Sequence, residues 1–414
     1  MRAKKLRLED LAADVPYAIV GGPFGSKLTS SDYVEDGVPV IRGTNLNAGR
    51  YLTNDGFVYV SEQKVQDDLF GNLAHSGDIV FTQRGTLGQV ALIPDDAPFD
   101  TYVVSQSQMK MTVDPHKADA RFIYYWFTNR DTVESIISRN SSSGVPHINL
   151  TVLRNFEIPV PDRDSQTRVA DLLSTYDDLI ENNRKRIALL EKAARLLYRE
   201  WFVHLRFPGH EHVKVVDGVP EGWVLRSLGE VADCRLGKML DQNKNRGEFM
   251  PYLANVNVRW GAIDLDNLRE MRFEDDELDA VGLRYGDIVM CEGGEPGRCA
   301  LWKEQVPKMV IQKAIHRIRA HEEMSYLFLY RCLRYQGESG QLSPLFTGAT
   351  IKHLPREKLV TAQVVAPPAP LMAVFAEQME PVEKQIAALE AASRRASDAR
   401  DLLLPRLMNG EIAI

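Results

Sequence analysis

The chain is short of the features that mark a disulfide scaffold, a membrane protein or a metalloenzyme. Only 4 of its 414 residues are cysteine (Cys234, Cys291, Cys299 and Cys332), all in the second half, and no two form a Cys-x-x-Cys pair. That excludes a disulfide framework and fits reduced, structural thiols in a cytoplasmic protein. No apolar run approaches the roughly 18 residues of a membrane span. The basic start, Met1-Arg2-Ala3-Lys4-Lys5, has no apolar segment behind it, unlike a signal peptide. Positive charge is scarce too: 50 Lys and Arg against 57 Asp and Glu leave a net charge of −7. Nucleic-acid binders usually carry a basic footprint. Here the segment charges are −4 (residues 1–160), +1 (161–209), −2 (210–366) and −2 (367–414). Binding DNA would require positive charge clustered on one surface, or supplied by a partner.

Catalytic motifs are equally sparse. No Asn-Pro-Pro-aromatic or Asp-Pro-Pro-aromatic run is present, so there is no adenine methyltransferase site. Gly21-Gly22-Pro23-Phe24-Gly25-Ser26-Lys27-Leu28 imitates a phosphate loop but fails its spacing, and reads as a turn or a close-approach DNA contact. Asp55 with Glu62-Gln63-Lys64 imitates a nuclease cluster that has no counterpart in the second half. His210-Glu211-His212 lacks further ligands and reads as solvated linker, so no metal is expected.

What the chain does have is internal repetition. Pro39, Asn45 and Gly49 recur as Pro251, Asn257 and Gly261, and Gly77-Asp78-Ile79-Val80 recurs as Gly286-Asp287-Ile288-Val289. Gly85, Gly88 and Ala91-Leu92 recur as Gly294, Gly297 and Ala300-Leu301. Ser143-Gly144 pairs with Thr347-Gly348, and Ile158-Pro159-Val160-Pro161 with Val364-Val365-Ala366-Pro367. The collinear matches predict a tandem duplication of about half the chain. Each copy opens with a mixed α/β (α+β) domain. Val38–Ile41, Phe57–Val60, Asp78–Thr82 and Gln89–Ile93 read as strands. Arg121–Arg139 reads as one helix, with Ser325–Tyr335 its counterpart.

Each copy closes on a long amphipathic stretch. Leu172, Tyr176, Leu179, Asn183, Ile187, Leu190, Ala194, Leu197 and Trp201 step by three or four residues, and Pro208-Gly209 ends the run. Phe375, Met379, Val382, Ile386, Leu389, Ala392, Ala396, Ala399 and Leu403 repeat the pattern. Neither stripe can be buried alone, so the matched pair predicts an antiparallel coiled coil. Residues 164–201 would span about 57 Å as a helix, or roughly 17 base pairs of duplex. The expected domains are 1–160, a spacer helix 161–209, 210–366 and a second spacer helix 367–414.

This order of motifs resembles the specificity (S) subunit of type I restriction–modification enzymes over essentially the whole chain. The resemblance rests on the two Gly-Asp-Ile-Val motifs and on Ile148-Asn149-Leu150 leading to Ile158-Pro159-Val160-Pro161. It rests too on the helix through Ile187-Ala188-Leu189-Leu190-Glu191, and on the tail Leu402-Leu403-Leu404-Pro405-Arg406-Leu407-Met408-Asn409-Gly410-Glu411-Ile412. It implies two target recognition domains, each reading one half of a split DNA sequence. Two methyltransferase (M) subunits would dock on the chain, and two restriction (R) subunits would join that core in a complex that also cleaves. It implies no catalysis or cofactor in this chain; the partner subunits would use S-adenosylmethionine, ATP and Mg. Two other readings compete: a coiled-coil scaffold that binds only proteins, and a nuclease or methyltransferase with an unrecognised site.

Reading bases in the major groove takes Arg or Lys for guanine and Asn or Gln for adenine. In the first domain, three loops carry that chemistry: Arg42, Thr44 and Asn45; Gln83, Arg84 and Thr86; Ser143 and His147. In the second, the candidates are Asn255, Asn257, Arg259 and Trp260, then Arg298, then Thr350 and Lys352, with Lys244 in a separate basic loop. Glu292 stands where the first copy has Gln83, and could accept from cytosine N4.

Overall fold

A computed structural model describes residues 3–46, 49–140, 144–239, 246–266, 268–412 and 414. The chain divides into two compact units, Met1–Asn183 with Ala392–Ile414, and Arg184–Ala391.

Both units are built on an antiparallel four-stranded sheet of the same strand order. In the first unit the order is Ile19–Gly21, Gln108–Met111, Ile79–Thr82, Val90–Leu92. In the second it is Ala232–Leu236, Ile315–Ala320, Ile288–Cys291, Cys299–Leu301. A second sheet in each unit carries one parallel pair: Val38–Ile41 with Tyr102–Val104, and Glu248–Leu253 with Val310–Ile311. A third, two-stranded sheet joins Lys4–Arg7 to Glu157–Val160, and Val224–Ser227 to Gln363–Ala366.

The repeated Gly-Asp-Ile-Val motif has a physical explanation. Gly77 and Gly286 take φ of +82° and +87°, a conformation costly for a residue with a Cβ. The following aspartates are buried. Asp78 accepts from the backbone N–H of His75 (2.9 Å), from Thr112 Oγ1 (2.5 Å) and from Lys110 Nζ (3.2 Å). Asp287 accepts from the Arg284 N–H (2.7 Å) and from Arg319 Nε (2.7 Å) and Nη2 (2.6 Å). Each aspartate closes its own turn and compensates a cation from the neighbouring strand. The motif holds the sheet rather than facing a ligand.

The strands stand where the pattern places them, trimmed by one residue at ends: Val38–Ile41, Val58–Val60, Ile79–Thr82 and Val90–Leu92. The expected single helix over 121–139 is instead two, Ala120–Thr128 and Arg130–Ser138. Asn129 breaks it with an extended backbone (ψ 133°), after Thr128 Oγ1 turns back onto the Tyr125 carbonyl (3.0 Å). Hydroxyl and amide side chains compete with helical hydrogen bonds in this way. The counterpart helix is intact, Tyr326–Glu338.

Two long helices follow, Arg163–Tyr198 and Ala369–Met408. Each unit takes the first part of one and the last part of the other. Within the first unit, Asp177 meets Arg400 (2.5 Å) and Asn183 meets Ser393 (3.2 Å), so the segments there run antiparallel. Within the second, Tyr198 and Trp201 both stack against Phe375, while Glu191 and Glu383 share Arg331. Of the expected stripe, Met379, Ile386 and Leu389 are buried, while Leu172, Tyr176, Ile187, Leu190, Leu197 and Leu403 are half-buried. In the first helix the expected Asn183 and Ala194 are buried, while the other buried positions are shifted around the cylinder to Val169, Leu173, Asp177 and Tyr198. The buried face is therefore partly polar, which an apolar count cannot find.

Candidate nucleic-acid interface

In the first unit, the Ser105–Gln108 turn gathers the loops that carry base-reading chemistry. The Ser105 N–H donates to the Ile41 carbonyl (3.1 Å), which brings in the 42–46 turn. Gln83 and Arg84 both donate their N–H groups to the Ser107 carbonyl (2.8 and 3.1 Å). The third loop joins through an isolated bridge between Arg84 and His147, with Gly85 N–H on Pro146 O (2.9 Å) and Ile148 N–H on Gln83 O (3.0 Å). Thr44, Arg84 and Thr86 are exposed on this frame; Gln83 and His147 are half-buried. Ser143 lies outside the described residues.

The second unit repeats the frame with different side chains. Glu292 N–H donates to Ala314 O (2.9 Å) and Leu354 N–H to Glu292 O (2.8 Å). Gly293 bridges to His353, which closes a hairpin on Thr347, so Thr350 and Lys352 stand exposed at its tip. Asn255 Nδ2 donates to Gly293 O (3.3 Å) and joins this hairpin to the 255–260 turn. Lys244 lies outside the described residues.

Several expected reading residues turn out to be fastenings. Asn45 is buried, with its Oδ1 on the Arg42 N–H (2.9 Å) and its Nδ2 on the carbonyls of Thr53 (3.4 Å) and Asp55 (3.1 Å). Asn257 does the same work, accepting from the Ala254 N–H (3.0 Å) and donating to Asp264 O (3.2 Å). Their recurrence marks a shared turn, not a shared base contact. Arg42 Nη2 is held by Gly56 O (2.6 Å). Arg298 is mostly buried, between Glu295 (2.6 Å) and the Asn255 carbonyl (2.9 Å), and Trp260 Nε1 donates to Glu295 (2.6 Å). Glu292 is paired with His353 (3.2 Å) and is not a free acceptor. Arg259 stays exposed, with a loose pairing to Asp264 at 3.5 Å. Behind this loop, burial pushes the Cys291 thiol up; the same cause lifts Cys234 and Cys299 to about 12 and Cys332 to about 11. These are packed, inert thiols.

His353 and the Ser105–Gln108 turn escaped the sequence reading. The signal for His353 was present: the offset of 206 that joins Ile158 to Val364 also joins His147 to His353. Lys64 of the nuclease-like cluster is committed to Asp32 (3.2 Å) and Asp68 (2.8 Å), away from Asp55.

The family described as type I restriction modification DNA specificity domain matches residues 25–192. The chain is 22% identical over 380 residues to the MjaIX specificity subunit of Methanocaldococcus jannaschii, covering 88% of this chain and 85% of that one. It is 23% identical over 446 residues to the HindI specificity subunit of Haemophilus influenzae, covering 89% and 94%. Along most of its length, then, the chain is similar to type I restriction–modification specificity subunits. In fold it is similar to the crystal structure of the S subunit from M. genitalium, with a TM-score of 0.57 at 16% identity, over 98% of this chain and 95% of that one. Among the described residues, no helix is long and apolar enough to cross a membrane.

Proposed function

We infer that the chain is the DNA sequence-specificity subunit of a type I restriction–modification complex, a non-catalytic component whose partners carry out the chemistry. The observation that carries this reading is one loop frame present in both units and furnished differently in each. Gln83-Arg84 stands on one frame and Glu292-Gly293 on the other. Constant scaffolds with exchanged polar side chains are what two different half-sites demand, because direct readout resides in side chains while the frame sets register. A protein-only scaffold has no need of Arg84, Thr86, Arg259 and Lys352 exposed on matched loops.

The two units form a tandem duplication in this reading, with target recognition domains over 1–160 and 210–366. The helical segments 161–209 and 367–414 pair as an antiparallel coiled coil that sets the gap between half-sites. Two M subunits dock on the chain and use S-adenosylmethionine to methylate adenine N6; R subunits, where present, use ATP and Mg. The complex works in the cytoplasm, where the DNA is. The test is a base-resolution map of N6-methyladenine in host DNA with and without the gene. Loss of methylation at one split motif is the expected result. An unchanged map in cells that express the M subunit would overturn the reading.

A further inference from the structure

Phe24 is the most exposed large apolar side chain among the described residues, at 80%. Its loop is nevertheless rigidly tied. A Cβ on Gly22 would lie 1.9 Å from the Ser105 carbonyl oxygen, so only glycine permits the backbones to approach this closely. Gln106 Nε2 donates to the carbonyls of Gly25 (2.7 Å) and Leu28 (3.2 Å), and Gly25 turns the chain at φ +63°. A Cβ on Gly21 would lie 2.9 Å from Gln83 Oε1. The loop therefore belongs to the same Ser105–Gln108 turn that gathers the reading loops, and it holds a phenyl ring out into water beside them.

The second unit has the same device. Gly237 follows the Ala232–Leu236 strand as Gly22 follows Ile19–Gly21, and its Cβ would lie 2.4 Å from Ile311 O and 2.5 Å from Gln312 O. Two residues on, Met239 is 54% exposed. Fixed backbone, glycine contact and a projecting apolar side chain recur, while the side chain itself changes. The charge beside the first loop suits a polyanion: no carboxylate occurs between Asp14 and Asp32 around Lys27. Beside the second loop Lys238 is tied to Glu277 and Arg235 to Asp233 (3.1 Å), so the cations there are already compensated.

Building on the DNA-reading function above, we propose that Phe24 and Met239 are apolar wedges that insert at a base step, one in each half-site. Phe and Met are among the side chains that unstack base steps, and the ease of unstacking depends on sequence. Each unit then reads its half-site partly through a step that makes no hydrogen bond to it.

The test uses the full chain assembled with its M subunits and a duplex carrying the mapped motif. 2-Aminopurine, which brightens on unstacking, is placed in turn along each half-site. The wild type should brighten at one step in each half-site. Phe24→Ala should abolish the signal in the first half-site only and lower target affinity about tenfold to a hundredfold, the range of a lost aromatic–base contact. Affinity for unrelated DNA and the melting temperature should hold, and Phe24→Leu should keep part of the signal. Persistence of the signal in Phe24→Ala would overturn the proposal. So would weaker binding of M subunits by Phe24→Ala without DNA, which would make the ring a protein-docking residue. A wild type with no preference for the motif would sink the DNA-reading function itself, and the wedge with it.

Discussion

Arg84 and His147 pair across an isolated antiparallel bridge, and Gly293 and His353 pair in the same way in the second unit. One position of the bridge therefore presents a guanidinium in one unit and nothing beyond the backbone in the other. The bridge fixes where a side chain stands, and the residue chosen fixes what it can read. Arg84→Ala should relax the first half-site of the methylated motif by about 1–3 kcal/mol, the worth of a good base contact, and leave the second intact. Arg259→Ala should do the reverse. Methylation mapping of both variants checks this. Equal weakening on unrelated DNA would assign these arginines to phosphates instead.

Asn45 and Asn257 should behave differently. Asn45→Ala strands the Arg42 N–H and removes two further hydrogen bonds inside the turn. A loss of about 1–3 kcal/mol in unfolding free energy follows from leaving buried polar groups unsatisfied. The methylated motif should not change. A changed motif with unchanged stability would return Asn45 to the reading surface.

The strands and the existence of two long helices were legible because alternation and helical spacing report burial directly. Leu172 and Tyr176 show where that signal fails: the buried face passes through Leu173 and Asp177 instead, and hydrophobic counting skips a buried aspartate. The recurrence of Asn45 as Asn257 was legible and its meaning was not, since repetition cannot separate a turn fastening from a contact. Phe24 was hidden for the opposite reason. An exposed ring on a glycine-rich loop becomes informative only when the backbone contacts that hold it are known.

The second unit stakes more on buried charge than the first. Arg331 is fully buried, with Nη1 on Glu191 (2.7 Å) and Nη2 on Glu383, which also holds Lys303 (2.9 Å). The neighbouring Arg331 and Arg334 outweigh burial and hold the Glu191 carboxyl below its usual range. In the first unit Tyr125 takes the corresponding place, donating to Asp177 (2.6 Å). Removing one partner of a buried pair leaves an uncompensated charge. Glu383→Ala should therefore cost about 3–5 kcal/mol in denaturant unfolding. Leu389→Asp, at a buried position, should be worse tolerated than Leu190→Asp, at a half-buried one. Sedimentation and M-subunit binding read the consequence for the helices, and indifference of both to all three substitutions would count against a helix pair of structural importance.

His316 gives the molecule an acid sensitivity that can be separated from its carboxylates. It is completely buried, with Nε2 2.7 Å from the Leu354 carbonyl, so Nε2 carries the proton and the ring is neutral. Burial holds its pKa below the ordinary 6.5, and the Leu354 carbonyl only partly offsets this. The unfolded chain therefore takes up a proton near 6.5 while the folded chain still refuses it. The stability this group confers is complete above that pH and is lost as pH falls toward the folded value. The slope from this residue approaches 1.4 kcal/mol per pH unit. Ordinary carboxylates begin to titrate only below about pH 5, so the interval from 6.5 to 5 separates histidine from carboxylate titration, and the substitution singles out His316 among the nine histidines. His316→Gln keeps an N–H for Leu354 and cannot ionise. Urea unfolding across that interval should lose its slope in this variant, and an unchanged slope would place the acid sensitivity elsewhere.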